Sequence, residues 1–213
     1  MKRLVALFFA LFVAVLTTLS VSAQDDRSKV EFFGGYSYLS TETGLDEVDP
    51  DIFDSRVGSH GFNTSLTGNV SRYVGIKGDF SWNQRTWDVT NGTDTANLKF
   101  RTNQFLGGVQ FKDNNKDAGR VKPFGHILAG VANQRVSGSV TSGGVTESDS
   151  LSTNNFAMVF GGGVDVRVNK RVDVRLFQFD FNPVFFKDQD TDFGTVQGRT
   201  QKNFRISVGI VIH

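Results

Sequence analysis

The sequence predicts an all-β protein: a single transmembrane antiparallel up-and-down β-barrel of eight strands, preceded by a cleaved signal peptide. Three observations predict it. Apolar and polar residues alternate with period two along most of the chain, and no apolar run after the leader approaches the ~20 residues of a membrane helix. The connections between alternating segments are mostly long and polar on one side and shorter on the other. The composition, with 23 glycines and 21 phenylalanines against 3 prolines and 2 methionines, suits aromatic, glycine-rich strands. A mean hydropathy of −0.21 is compatible with this fold, because every second residue of a membrane barrel faces a polar interior.

The leader is residues 1–23, MKRLVALFFALFVAVLTTLSVSA. It has a basic start (Lys2, Arg3), an apolar run over 4–16, and a small-residue cleavage pattern at Val21-Ser22-Ala23. The single domain is therefore 24–213, and the mature chain begins at Gln24. Losing Lys2 and Arg3 takes the formal charge from +1 to −1, which offers no electrostatic attraction for nucleic acid. The absence of cysteine excludes a lipid-modified start, a disulfide framework and thiol catalysis. With an export signal, it points to a bacterial envelope protein.

The eight strands are read at 29–39, 60–70, 74–89, 98–112, 122–136, 155–168, 172–182 and 202–213. The odd connections, 40–59, 90–97, 137–154 and 183–201, are polar and mostly the longer ones. The even ones at 71–73, 113–120 and 169–171 are shorter, and two are tight. This segregation assigns one rim to extracellular loops and the other to periplasmic turns.

The tight turns fix a register. Val168 opposite Val172 sets Val166 against Val174, Arg167 against Asp173 and Asp165 against Arg175. Val70 opposite Val74 sets Thr67 against Lys77 and Ser65 against Asp79. The turn Asn169-Lys170-Arg171 contains no glycine, which such turns usually want at a left-handed position. Extended to the other strands, one face carries a lumen charge network of Glu31, Lys77, Asp79, Asp165, Arg167, Asp173, Arg175 and Arg205. Such charges need partners, because isolated charges are not tolerated away from water. The other face is lipid-facing: Phe62, Leu66, Ile76, Phe80, Phe156, Phe160, Val164, Val166, Val172, Val174, Phe204, Ile206, Val208 and Ile210. Val30, Phe32, Tyr36 and Tyr38 continue it on the first strand, and aromatics recur near strand ends as an interfacial girdle requires. Strands four, five and seven alternate poorly. After Leu176 the phase slips through Phe177, Gln178 and Phe179, as a β-bulge would cause.

These segments resemble the OmpA/OmpX-type eight-stranded outer-membrane β-barrel family (the outer membrane protein beta-barrel domain). The carriers are VEFFGGYSYL, GFNTSLTGNVSRYVGIKGDFS, FLGGVQF, PFGHILAG, RLFQFDF and RISVGIVI. The resemblance implies a single-domain barrel in the bacterial outer membrane, surrounded by outer-membrane lipids and lipopolysaccharide and inserted by the barrel-assembly machinery. It implies a structural or surface-interaction role with the extracellular loops as the functional surface. The alternatives are a narrow ion or small-solute channel, a lipid-modifying barrel enzyme, and a soluble lipocalin-like carrier. The family usually ends on an aromatic in phase with the outward face. Here the last in-phase residue is Ile212, followed by His213, a departure that bears on insertion rather than fold.

No catalytic, cofactor or metal residue is assigned. His126 would need a nucleophile two residues on, as in a lipid A deacylase barrel, and position 128 is Leu. The segment DQDTDFGTVQGR begins like a calcium loop but has Phe193 at its sixth position and Arg199 at its twelfth. The acidic residues of 40–59 (Glu42, Asp46, Glu47, Asp49, Asp51 and Asp54) read as a solvated loop surface. A lipocalin-like carrier would place a Gly-x-Trp near the first strand, whereas Trp82 and Trp87 come much later.

Overall fold

A computed structural model describes residues 28–42, 56–91, 94–115, 118–142, 145–187, 189–191, 194–196 and 198–213. The strands are β1 (Val30–Glu42), β2 (Arg56–Asn69), β3 (Val74–Asn91), β4 (Asp94–Lys112), β5 (Val121–Ser142), β6 (Val145–Arg167), β7 (Val172–Phe185), β8 (Gln189–Thr191), β9 (Gly194–Val196) and β10 (Thr200–Ile212). Strands β1–β7 and β10 form a closed barrel in which each pairs antiparallel with its chain neighbour and β10 closes onto β1. Closure leaves no free edge within the ring. β8 and β9 make a separate two-stranded ribbon between β7 and β10. The strict alternation of β10, from exposed Lys202 to exposed Ile212 with buried residues between, is the period-two pattern of its sequence.

Both tight turns take the expected register. Arg167 pairs with Asp173 and Asp165 with Arg175, while Thr67 pairs with Lys77 and Ser65 with Asp79. The turn without glycine closes through a side chain. Asn169 Oδ1 accepts from the amides of Arg171 and Val172 at 2.8 and 2.9 Å. An Asx side chain thus does locally what a left-handed glycine would otherwise do. Ser71 Oγ accepts from the Val74 amide at 3.1 Å in the matching turn. At the same rim, Arg72 forks onto Asp113 at 3.2 and 3.0 Å and holds that carboxyl below its ordinary pKa. The pair is exposed and adds little to stability.

The phase slip of β7 is a bulge. Val164 pairs with Phe177 but Asp165 with Arg175, so Leu176 is the extra residue and both Leu176 and Phe177 point outward. Inward phase therefore passes from Asp173 and Arg175 to Gln178, Asp180 and Asn182. Further along, Pro183 has no N–H to give the ladder, and the pairing of β6 with β7 lapses between Ala157–Val184 and Phe160–Phe181. Asn182 repairs the gap: its Nδ2 donates to the Met158 carbonyl at 2.9 Å, while its Oδ1 accepts from Gln104 at 2.6 Å. Asn182→Ala leaves both partners unmade in a buried setting. It is expected to cost about 1–3 kcal/mol, read as a lower urea midpoint of the detergent-refolded chain.

The longer connections differ from expectation. The expected loop 137–154 is mostly ladder, paired out to Ser142 and Val145, and the expected loop 90–97 is paired out to Asn91 and Asp94. β7 likewise runs to Phe185 through Pro183, into the expected loop 183–201. Ser, Thr and Val fill the extension of β5 and β6, and residues that can be polar on both faces hold a hairpin as well as a loop would. Of the expected loop 40–59, residues 43–55 lie outside the described residues.

Candidate functional site in the barrel interior

The interior is built from alternate residues of eight strands, and its charges balance. Among the described residues the buried Lys and Arg side chains are Lys77, Lys112, Lys122, Arg175 and Arg205, and the buried carboxylates are Glu31, Asp79, Asp165, Asp173 and Asp180. Two groups organise them. In the first, the Arg175 guanidinium lies between the rings of Phe33 and Phe124, its carbon 4.3 and 4.0 Å from the centroids. It forks onto Asp165 at 2.8 and 3.0 Å and donates to Gln178 at 2.7 Å. Lys112 bridges Asp165 at 3.1 Å and Glu31 at 2.7 Å, and Lys122 holds Asp173 at 3.0 Å. His213 Nε2 lies 2.9 Å from the same Asp173.

The second group is centred on Arg205. Its Nη1 meets Asp79 at 2.9 Å and its Nε donates to Asp180 at 2.9 Å. Asp180 also contacts His126 Nε2 at 2.9 Å, and His126 Nδ1 lies 3.2 Å from Lys77 Nζ. Beyond these charges comes an apolar cluster of Leu106, Leu128, Ala132, Ala157, Val159 and Val184, closed by Phe186. Amides share that level: Asn83 donates to Ser37 O at 3.0 Å, and further out Gln134 donates to Gln201 at 2.7 Å.

Glu31, Lys77, Asp79, Asp165, Asp173, Arg175 and Arg205 all have buried side chains pointing into this space. Arg167 does not join them. It is the last residue of β6, half-buried, and its guanidinium donates to the carbonyls of Ala118 and Asn115 in the β4–β5 connection. Its ladder partner Asp173 turns instead to Lys122 and His213. Sequence reasoning missed Lys112, Lys122, Asp180 and His126 as members, along with the ring pair Phe33 and Phe124. For Asp180 the sequence shows the slip after Leu176 but not whether the new phase persists, and the bulge carries it inward. For β4 and β5 the loops expected at 90–97 and 137–154 leave no tight turn from which to fix the phase. His126 has Asp180 and Lys77 as polar neighbours, with Phe124 against its ring. Among the described residues no group of three or more His, Cys, Asp or Glu could hold a metal ion.

The other face is the reverse. Phe62, Ile76, Phe156, Phe160, Phe204, Ile206, Val208 and Ile210 are exposed on the outside of the ring, and Leu66, Phe80, Val164, Val166, Val172 and Val174 are partly so. Aromatics cluster there: Phe62 stacks on Trp82 at 5.9 Å, and Phe80 meets Phe105 at 4.6 Å.

A closed ring of eight antiparallel strands, charged within and apolar without, defines an integral outer-membrane β-barrel protein. The sequence matches the outer membrane protein beta-barrel domain over residues 9–210, and the chain belongs to that family. It is a protein of the bacterial outer membrane. Solved structures of similar fold include Neisserial surface protein A, at 12% identity and a TM-score of 0.50 over 87% of this chain and 97% of that one. OprG of Pseudomonas aeruginosa is similar at 11% identity, with a TM-score of 0.49 over 88% of this chain and 97% of that one. Ail, the attachment invasion locus protein of Yersinia pestis, is similar at 14% identity, with a TM-score of 0.46 over 88% and 99%. No curated protein matches the sequence significantly.

Proposed function

We propose that the mature chain, 24–213 after removal of a signal peptide at 1–23, is a non-conducting envelope barrel with a structural or surface-interaction role. Its outward residues meet acyl chains, the barrel-assembly machinery inserts it, and its extended hairpins present the functional surface outside the cell. One observation carries the closed lumen. Phe33 on β1 and Phe124 on β5 come from strands on opposite sides of the ring, and Arg175 fills the space between their rings. An eight-stranded lumen is just wide enough for side chains to fill. Bonds from Arg205 on β10 to Asp79 on β3, and from Gln104 on β4 to Asn182 on β7, cross it at other levels. An enzyme reading lacks a nucleophile beside His126, where the strand neighbour two residues on is buried Leu128.

Planar-bilayer recording of the refolded mature chain tests the closed lumen. The expected trace has no discrete conductance steps at ordinary salt. Reproducible single-channel steps from the wild-type chain would replace this reading with the narrow channel.

A further inference from the structure

The outer surface of β4, β5 and β6 changes character in rows set by the ladder. Phe105, Val131 and Phe156 form one exposed row. Two residues further from the periplasmic turns stands a row of Asn103, Asn133 and Asn154, with Asn133 donating to Asn154 at 2.8 Å. Next comes Arg101 opposite Arg135, then Lys99 opposite Ser137 and Ser150. Two residues of strand span about 6.8 Å, so the basic rows begin roughly 14 Å along the strand from the apolar row. In an outer-membrane barrel the outward apolar band gives way to polar residues at the level of the headgroups.

Arg101 and Arg135 form a directly opposed like-charge pair, which is unfavourable unless something neutralises it. Neither is neutralised by the fold. Arg101 donates only to the neutral Gln84, at 3.2 and 3.1 Å, and Arg135 to Ser150 Oγ at 2.9 Å. Among the described residues no ion pair engages Lys99, Arg101 or Arg135. The three cations line a cavity of about 490 Å³ together with Ser137, Ser139, Ser148 and Ser150. Asp149 lines it too, its Oδ1 accepting from the Ser150 amide at 2.7 Å. The Trp82 ring lies 5.8 Å from the Arg101 guanidinium.

We propose that this cleft holds the phosphorylated headgroup of an outer-leaflet lipid, with its acyl chains running down past Phe105, Val131 and Phe156. A phosphate between Arg101 and Arg135 would turn a repulsive pair into two charge-assisted hydrogen bonds. The serine hydroxyls would take the sugar of a phosphorylated glycolipid. An apolar strip that begins one asparagine row below the cations favours a lipid over a soluble acidic partner. The inference rests on the membrane placement given above.

The test is native mass spectrometry of the detergent-refolded mature chain with diphosphoryl lipid A as the probe. The wild type is expected to retain lipid A. Arg101→Gln with Arg135→Gln is expected to lose about tenfold of that retention, the size of one or two charge-assisted contacts. Lys170→Gln with Arg171→Gln makes the same charge change at the opposite rim and is expected to lose nothing. Should the glutamine pair fail to fold, Lys99→Gln breaks no hydrogen bond of the fold and is expected to weaken retention about threefold. Dephosphorylated lipid A with the same chains is expected to be lost as readily as phosphatidylcholine. Full retention by the folded Arg101 and Arg135 variant would overturn the proposal. So would equal loss at the opposite rim, or complete displacement by inorganic phosphate at the lipid's own concentration. A wild type whose gel mobility is the same boiled and unboiled would remove the membrane placement itself. A heat-modifiable wild type that keeps no lipid A would remove only the cleft.

Discussion

Arg205→Met is expected to cost the barrel about 3–5 kcal/mol, enough to remove most of a typical domain's stability. The reason lies in what it leaves behind. Arg205 is fully buried and is the guanidinium shared by Asp79 and Asp180. Without it, Asp79 keeps the Asn63 amide at 3.0 Å, and Asp180 keeps His126 and Gln178 at 2.9 and 2.7 Å. Two carboxylates then share a buried interior with less positive charge than negative. The measurement is the urea midpoint of the refolded chain, followed by tryptophan fluorescence and by the unboiled gel band. Neutralising all three groups with Asp79→Asn, Asp180→Asn and Arg205→Met is expected to recover most of the loss, because a buried ion network is costly mainly when half broken. A single variant within about 1 kcal/mol of the wild type would show that water, rather than protein, solvates these carboxylates.

That expectation also marks how far the sequence could be read. Half of the Arg205 group was visible: Lys77 and Asp79 follow from the tight turn at 71–73, and Arg205 from the clean alternation of β10. Its other half, Asp180 and His126, was not. Asp180 reverses phase only because Leu176 is inserted, and alternation alone cannot say whether a slip persists or reverts. His126 and Lys122 depend on β5, which follows an eight-residue connection and whose tight hairpin to β6 lies within the expected loop 137–154, so no recognised turn pins its register. Arg167 reaches a different place for a different reason. Its backbone pairing was legible, but a long side chain at a strand end reaches whatever carbonyls the next turn presents. The hairpin extensions were hidden because beyond the membrane both faces of a strand can be polar, and period two disappears where there is no second phase to contrast.

Gly209→Ala is expected to abolish the heat-modifiable folded band. Gly209 pairs with Gly35 across the seam where β10 closes onto β1. A Cβ there would stand 2.3 Å from the Gly34 carbonyl oxygen, 2.5 Å from Gly35 Cα and 2.9 Å from Phe33 Cε2. Two of these atoms are backbone of the partner strand, so no rotamer change relieves them; the strands must part. Overpacking a core costs roughly 1–3 kcal/mol, and more where the backbone has to move. Here the movement opens the ring at the pairing of its first and last strands, exposing ladder groups on both. It also displaces Phe33 from Arg175, so the seam and the lumen fail together. Gly107→Ala is the matched control, since its nearest neighbour would be the Lys77 carbonyl at 3.9 Å, an ordinary contact. It is expected to stay within about 0.5 kcal/mol of the wild type. Adding Phe33→Leu to Gly209→Ala separates the two causes. If the backbone clash dominates, shrinking the ring restores no folded band. If the band returns, the ring was the obstacle, and the close approach of β1 and β10 is not what the glycine serves.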